Sequence, residues 1–525
     1  MALTETRPET TGSSEPAPTR PAPGPLERLI GTGDHTSIGR LFIGLALMLT
    51  IVSLAGRALA GVDLLADGSV LDGRAAMLAP SSVVGLALTG VVPLLLGLVL
   101  VVVPLQLGAP AVAFPRAAAL SLWSWCVAAM VYVVSVVLDG GVLGADDQAA
   151  RLGNVSMGAM MAALGLGAVC VATTVVSHRP EGMGLARVPF LSWAALVGSV
   201  MWLVTLGSAF AHVIVGQVSR AGAAGLAENF TGGIAWLLRG PAVYVLAIPV
   251  LGVVIDVVAV RAGRRVGAYG VVQGLIGAYA LLGFGAWAQL PGSVNTALWT
   301  LFALGIALPV LGLLGAVGDV LRRGPVRVDP ALGLSVLALL LLLGSVAAGL
   351  LWALDLAGTG TLFGFNLGAL ADAQAAFVLG AGLAGGAAGL FHWSPHIWGA
   401  PAPRGRAATA GGLVVLGAAV LGTGLLVQAL VQLDGKDTAA RLFGAVAALG
   451  ALLALFGLAG VLAASLGAAR AAAEGDGGVG DTEGLTLEWS VPVPATGGVV
   501  PAERPPLQSP YPLLDARTDG GKEDR

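Results

Sequence analysis

The chain has 525 residues, 56% hydrophobic and 11% charged, with a net charge of -3 and a mean hydropathy of +0.88. Soluble domains carry roughly 25% charged residues, and so few charges could not cover a water-facing surface. An ordinary cytosolic enzyme, a nucleic-acid binder and a disordered chain are excluded on this ground. The cysteines, Cys126 and Cys170, both lie in apolar runs, which excludes a disulfide scaffold and a cysteine-based metal site.

Residues 1–33 are rich in Pro, Thr, Glu and Gly and hold no apolar stretch, so they read as a disordered tail and not a signal peptide. From Leu41 onward, apolar runs of roughly 20 residues or more recur, each long enough to cross a hydrocarbon core about 30 Å thick. Twelve spans are predicted, at 41–62, 80–107, 117–138, 155–177, 189–217, 231–260, 268–290, 296–320, 331–357, 369–391, 408–432 and 440–467. The twelve-span transmembrane domain thus covers 34–470, and 471–525 is a polar, Gly- and Pro-rich tail. The runs are continuous and do not alternate with period two, so the fold class is all-α, a polytopic membrane bundle and not a barrel. Abundant Gly and Ala suit closely packed spans.

The connectors give an orientation. Loops after even-numbered spans hold Arg116; Arg179 and Arg187; Arg261, Arg264 and Arg265; Arg322, Arg323 and Arg327; Arg404 and Arg406. Loops after odd-numbered spans hold only Arg74, Arg151, Arg220, Lys436 and Arg441. The positive-inside rule places both termini in the cytoplasm.

Several segments resemble subunit I of the heme-copper oxidases, the cytochrome c oxidase family. Asp34-His35-Thr36-Ser37-Ile38-Gly39 is similar to the family's entry into its first span. Pro93-Leu94-Leu95-Leu96-Gly97, Val103-Pro104-Leu105-Gln106-Leu107-Gly108-Ala109, Ala113-Phe114-Pro115-Arg116 and Leu120-Ser121-Leu122-Trp123 resemble the second-to-third span region. Pro241-Ala242-Val243-Tyr244 with Ile248-Pro249 resembles the sixth span, Gly283-Phe284 with Trp287-Ala288 the seventh, and Phe391-His392-Trp393-Ser394-Pro395 the end of the tenth. Thr486-Leu487-Glu488-Trp489, followed by Pro505-Pro506 and Ser509-Pro510, looks like the family's C-terminal signature.

The resemblance implies two hemes and copper, held by imidazoles from the second, sixth, seventh and tenth spans. This chain departs at each ligand position. The second-span position falls on Ser82, the sixth-span position on Gly240, the seventh-span pair on Gln289 and Leu290, and the tenth-span pair on Ala373 and Ala375. Register does not matter to this conclusion: no histidine lies between His35 and His178, or between His212 and His392. The positions that the resemblance assigns to proton uptake fall on Ala111 and Ala242, and the eighth span holds no lysine. The propionate clamp falls on Leu433-Asp434-Gly435-Lys436-Asp437, and the outer magnesium site near Phe365-Asn366. An ionisable group inside the bilayer costs about 3 kcal/mol on insertion scales, so apolar replacement is what a filled cofactor cavity would show.

Tyr244, the retained family tyrosine, lies four residues after Gly240, on one face of a helix. It reads as a residual proton donor or, preferably, as a core tyrosine hydrogen-bonded to a neighbouring span. Gln289 is a poor copper ligand and suits interhelical hydrogen bonding. Met157, Met160 and Met161 read as packing and not as soft ligands. Arg57 and Arg239 read as snorkelling side chains, and Asp256 and Asp319 as partners of Arg261, Arg264 and Arg322 at helix ends. His392 and His396, beside Trp393 and Trp398, read as an aromatic interface belt; His35 and His178 read as interfacial, and His212 as lying in the outward half of the fifth span. No metal or cofactor site is expected.

Three functions follow. The first is a non-catalytic paralogue of cytochrome c oxidase subunit I, a structural or accessory membrane subunit of a respiratory-type complex, in the plasma membrane of a bacterium. The alternatives are an active terminal oxidase passing electrons from cytochrome c to oxygen, and a transporter built on the same bundle. The expected partners are the lipid bilayer and other oxidase-like or respiratory subunits, with no nucleic acid.

Overall fold

Packing at membrane depth gives the architecture its order. The computed structural model describes residues 31–66, 70–71, 74–142, 144–220, 237–238, 240–287, 296–357, 367–431, 437–478, 484–491 and 505–523. Among them, eleven helices are long and apolar enough to cross a membrane. The place of the predicted seventh span is taken by the helix Tyr269–Trp287, whose Tyr269–Gly283 stretch is also apolar. Each of the twelve predicted spans therefore has its helix, and Gly33–Arg525 forms one unit. Most of the predicted N-terminal tail lies outside the described residues.

The lipid-facing surface can be read directly. Leu120, Val127, Met130 and Val134 of the third span are all more than half exposed, and they recur at helical spacing on one face. Leu301, Leu308 and Leu311 do the same on the eighth. By contrast, the second and sixth spans are buried all round and the tenth almost so. These three form the axis of the bundle, and they are three of the four spans where the resemblance places metal ligands.

Two axial spans are not regular α-helices. The second runs as Ala75–Gly85, a π-wound stretch Leu86–Val91, and Val92–Gln106. Wide winding frees a carbonyl from the ladder, and the indole of Trp125 donates to Leu88 O at 2.9 Å. The sixth, expected as one helix over 231–260, is a 3-10 segment Gly240–Ala247 followed by the α-helix Ile248–Ala262. Pro249, at the start of that helix, has no N–H to continue a ladder across the joint. Trp202 donates to Val245 O at 3.0 Å. Irregular backbone is tolerated at this depth because side chains satisfy it.

Helix ends follow local chemistry. Asp34 caps the first span (His35–Leu65), accepting from Thr36 N at 3.3 Å and Ser37 N at 3.0 Å and from both hydroxyls. The fourth span begins at Asp147, two turns before the predicted 155, because Asp146 caps it and Arg151 pairs with Asp147 at 2.7 Å. Arg151 and Arg441 therefore lie on helices, not on the loops expected for them. Tight packing closes the last two spans: a Cβ on Gly417 would lie 2.6 Å from Gly450 O, and one on Gly450 would lie 2.7 Å from Gly417 O.

Candidate functional site

The ligand positions implied by the resemblance fall along the axis. Ser82 is buried and its hydroxyl donates to its own helix, to Leu78 O at 2.6 Å. Ala373 is buried in a small apolar cluster with Ala348, Leu421 and Leu425. Ala375 belongs to the main core. Gly240 opens the 3-10 segment. Gln289 and Leu290 lie outside the described residues, as do Arg239, Phe365, Asn366 and 432–436.

The described side chains at these positions do not fit heme iron or copper. A methyl has no donor atom, and the Ser82 hydroxyl is engaged by backbone. Among the described residues, no three His, Cys, Asp or Glu side chains are grouped to hold a metal. Below the ligand level the three axial spans touch directly. Gly382, Gly386 and Gly389 of the tenth span (Leu367–His392) face Val91, Leu94 and Leu98 of the second, and Gly385 faces Val250 of the sixth. At each of these glycines a Cβ would collide with the facing side chain. Met157, Met160 and Met161 are buried in the main core, as packing residues would be.

Tyr244 departs from its expected setting. In a 3-10 segment positions four apart lie roughly 120° apart, so Tyr244 and Gly240 do not share a face. Its buried hydroxyl faces Ser345 and Gln374 without meeting hydrogen-bond geometry with either. Tyr279 packs edge-on against it, ring centroids 5.6 Å apart, and its hydroxyl is likewise unsatisfied. A Cβ on Gly349 would lie 2.5 Å from Gln374 Nε2 and 3.3 Å from Tyr244 Oη, so that glycine admits the amide beside the phenol. Tyr244 is thus a buried core tyrosine whose hydroxyl lies beside Ser345 and Gln374 of neighbouring spans.

The denser polar site lies at the arginine-rich end, built from residues far apart in sequence. Gln106, closing the second span, donates from Nε2 to Asp256 Oδ2 at 3.1 Å and to Glu488 Oε1 at 3.2 Å. Its carbonyl accepts from Ser192 Oγ at 2.7 Å. Asp256 does not pair with an arginine, as the sequence suggested. It accepts from Phe190 N at 3.2 Å and Leu191 N at 2.9 Å, capping the fifth span (Phe190–Arg220), where the helix dipole favours negative charge. Arg261 instead pairs with Asp329 at 2.8 Å. Asp319 behaves as expected, bound to Arg322 at 2.9 Å and to Arg323.

Glu488 comes from the tail, on a single 3-10 turn Leu487–Ser490. Oε1 also accepts from Trp393 Nε1 at 3.2 Å, and Thr486 lies beside the carboxyl. Burial pushes its carboxyl above the ordinary range against the pull of its hydrogen bonds, and the neighbouring Asp256 makes a second charge costlier. His396 donates from Nε2 to Glu488 O at 2.8 Å, and burial lowers its imidazole to about 4. The rings of His392 and His396 pack on Trp489 at 5.3 and 4.6 Å. Both histidines are fully buried under the tail, so the expected interface belt is a covered core. His35 is buried too, with Nδ1 3.8 Å from Asp34. His178 is exposed at a helix end, and His212 Nδ1 lies 2.8 Å from Ser208 O. Arg57, read as snorkelling, lies within electrostatic reach of Asp372 on the tenth span.

The geometry defines an all-helical integral membrane bundle whose axial spans touch directly and whose C-terminal signature is built into one end. The chain matches the family described as Cytochrome C and Quinol oxidase polypeptide I over residues 38–443 and belongs to it. It is 28% identical over 240 residues to a probable cytochrome c oxidase subunit 1-beta of Nocardia farcinica, covering 41% of each chain. It is 27% identical over 215 residues to quinol oxidase subunit 1 of Bacillus subtilis, covering 37% of this chain and 33% of the other. With cytochrome c oxidase subunit 1 of Corynebacterium glutamicum it shares 28% over 219 residues, 37% of this chain and 36% of the other. The matched segments span less than half the length of these relatives.

Proposed function

We propose that the chain is a non-catalytic paralogue of cytochrome c oxidase subunit I, acting as a structural or accessory membrane subunit of a respiratory-type complex without heme or copper of its own. The observation that carries this reading is the chemistry at the ligand positions: a self-bonded serine at Ser82, methyl groups at Ala373 and Ala375, and direct glycine-to-side-chain packing between the second, sixth and tenth spans. Substitution by small apolar residues removes donors that are costly to hold in a bilayer, and the surrounding helices close on the space. The arginine-rich end is the cytoplasmic face of a bacterial plasma membrane by the positive-inside rule, with both termini on that side. Lipid covers the exposed leucines and valines, and other oxidase-like subunits are the partners.

Purification in mild detergent tests the reading. The expected reduced-minus-oxidised spectrum is featureless in the heme region, with iron and copper far below one per chain and oxidase-like subunits co-eluting. Heme bands at one or more per chain would overturn it in favour of an active terminal oxidase. A lone protein stabilised by a small solute would point to transport instead.

A further inference from the structure

A cavity of about 460 Å³ opens where the end of the sixth span, the linker before the ninth and the C-terminal tail meet. Three guanidinium groups line it, from Arg261, Arg327 and Arg517, together with the apolar side chains of Val260, Leu485 and Leu514. Among the described residues its lining contains no carboxylate. We propose that this cavity binds a phosphate-bearing anion, the three arginines holding the phosphate and the aliphatic side chains holding an attached apolar part.

The arginines are built into the wall. Arg261 is buried and fixed by its Asp329 pair at 2.8 Å, and its carbonyl accepts from Arg327 N at 3.0 Å, which ties the linker to the span end. Arg517 donates from Nη2 to Gly484 O at 2.8 Å, and Leu513 N donates to Leu485 O at 3.3 Å, so both tail segments are stitched into one wall. Asp515, two residues before Arg517, is turned to Arg265 and accepts from Ser509 Oγ at 2.5 Å. Arg327 and Arg404 both lie within electrostatic reach of Arg261, so positive charge gathers at this end. Planar guanidinium forks match phosphate oxygens. The volume falls within the range of small-molecule sites, and a basic pocket at a membrane end fits the headgroup of an anionic phospholipid. A soluble phosphate compound offers the same charged group.

The two sources are separated by experiment on the purified full chain. One arm reconstitutes it in nanodiscs of phosphatidylcholine with or without phosphatidylglycerol; the other titrates inorganic phosphate in detergent. Binding is read as a shift of the thermal midpoint. Arg327→Gln with Arg517→Gln removes two exposed cations, and Arg406→Gln, at the exposed start of the helix Arg404–Val431 and outside the cavity, is the control. The double variant should bind the effective probe roughly thirtyfold more weakly, read as the shift from its own unliganded midpoint, and Arg406→Gln should bind as the parent does. A response to phosphatidylglycerol alone assigns the site to lipid, and a response to phosphate assigns it to the headgroup chemistry; both uphold the proposal. No response to either probe, or equal binding by the double variant, overturns it.

Discussion

Around Gly385 the second, sixth and tenth spans meet through methyl groups: Val91 and Leu94 from one side, Val250 from the other. Further toward the arginine-rich end the same three spans meet again through Gln106, Asp256 and Trp393, each bonded directly or through the others to Glu488. The first meeting is specified by shape and tolerates any sequence that fills the space. The second is specified by partners, and each group left without one carries a desolvation cost. Drift inside the bundle can therefore erase donors while the end of the bundle stays fixed.

The largest expected effect breaks the polar meeting. Asp256→Ala strands the amides of Phe190 and Leu191 and one arm of Gln106, at a cost of about 3–5 kcal/mol. The thermal midpoint in detergent should fall by many degrees. A near-parental midpoint would mean that the network is not what holds this end.

Gly385→Val tests the apolar meeting in the same assay. Its Cβ would collide with Val250, and overpacking of this kind costs about 1–3 kcal/mol. Gly412→Val, on an exposed helix face with open space around it, should leave the midpoint where it was. If the two variants behave alike, the axis is looser than its packing implies.

Acid sharpens the comparison further. His396 has its imidazole lowered from 6.5 to about 4, so its contribution is complete above pH 6.5 and is lost as pH falls toward 4. Glu488 is raised, so its contribution is complete below its unfolded value of 4.5 and is lost as pH rises through its folded value. The two contributions have opposite signs, and Glu488→Gln removes one of them, so the parent should lose stability relative to the variant as pH rises through the folded value of Glu488. A parent and variant with parallel pH profiles would contradict this assignment.

The smallest effect is expected at Tyr279→Phe. Among the described residues the hydroxyl is buried without a partner, so its removal should change stability by less than about 1 kcal/mol, toward stabilisation if at all. A large loss would show that the phenol is bonded after all.

Much of this was legible in the sequence because bilayers impose a coarse rule. Each predicted span has its helix, since hydropathy over some twenty residues is a strong signal. Where polar first turns rise out of the membrane, as at Asp147 and Arg151, hydropathy could not see the helix begin. The windings at Leu86–Val91 and Gly240–Ala247 were hidden because they depend on Trp125 and Trp202 reaching across from other spans. Gln106 and Glu488 were both visible inside quoted motifs, yet nothing in a linear pattern joins positions so far apart. The same blindness led to His392 and His396 being read as an interface belt: the tail segment that buries them comes almost a hundred residues later, as the His396–Glu488 bond records.

The tail has a consequence for biogenesis. Asp256 and Gln106 are synthesised with the spans they belong to, but Glu488 follows every one of those spans. During synthesis the arginine-rich end therefore stands open, with an acid, an amide and two histidines uncovered, until the final segment folds back over them. A chain that stops short would display buried polar groups at the membrane surface, a mark by which quality-control proteases can tell an unfinished subunit from a finished one.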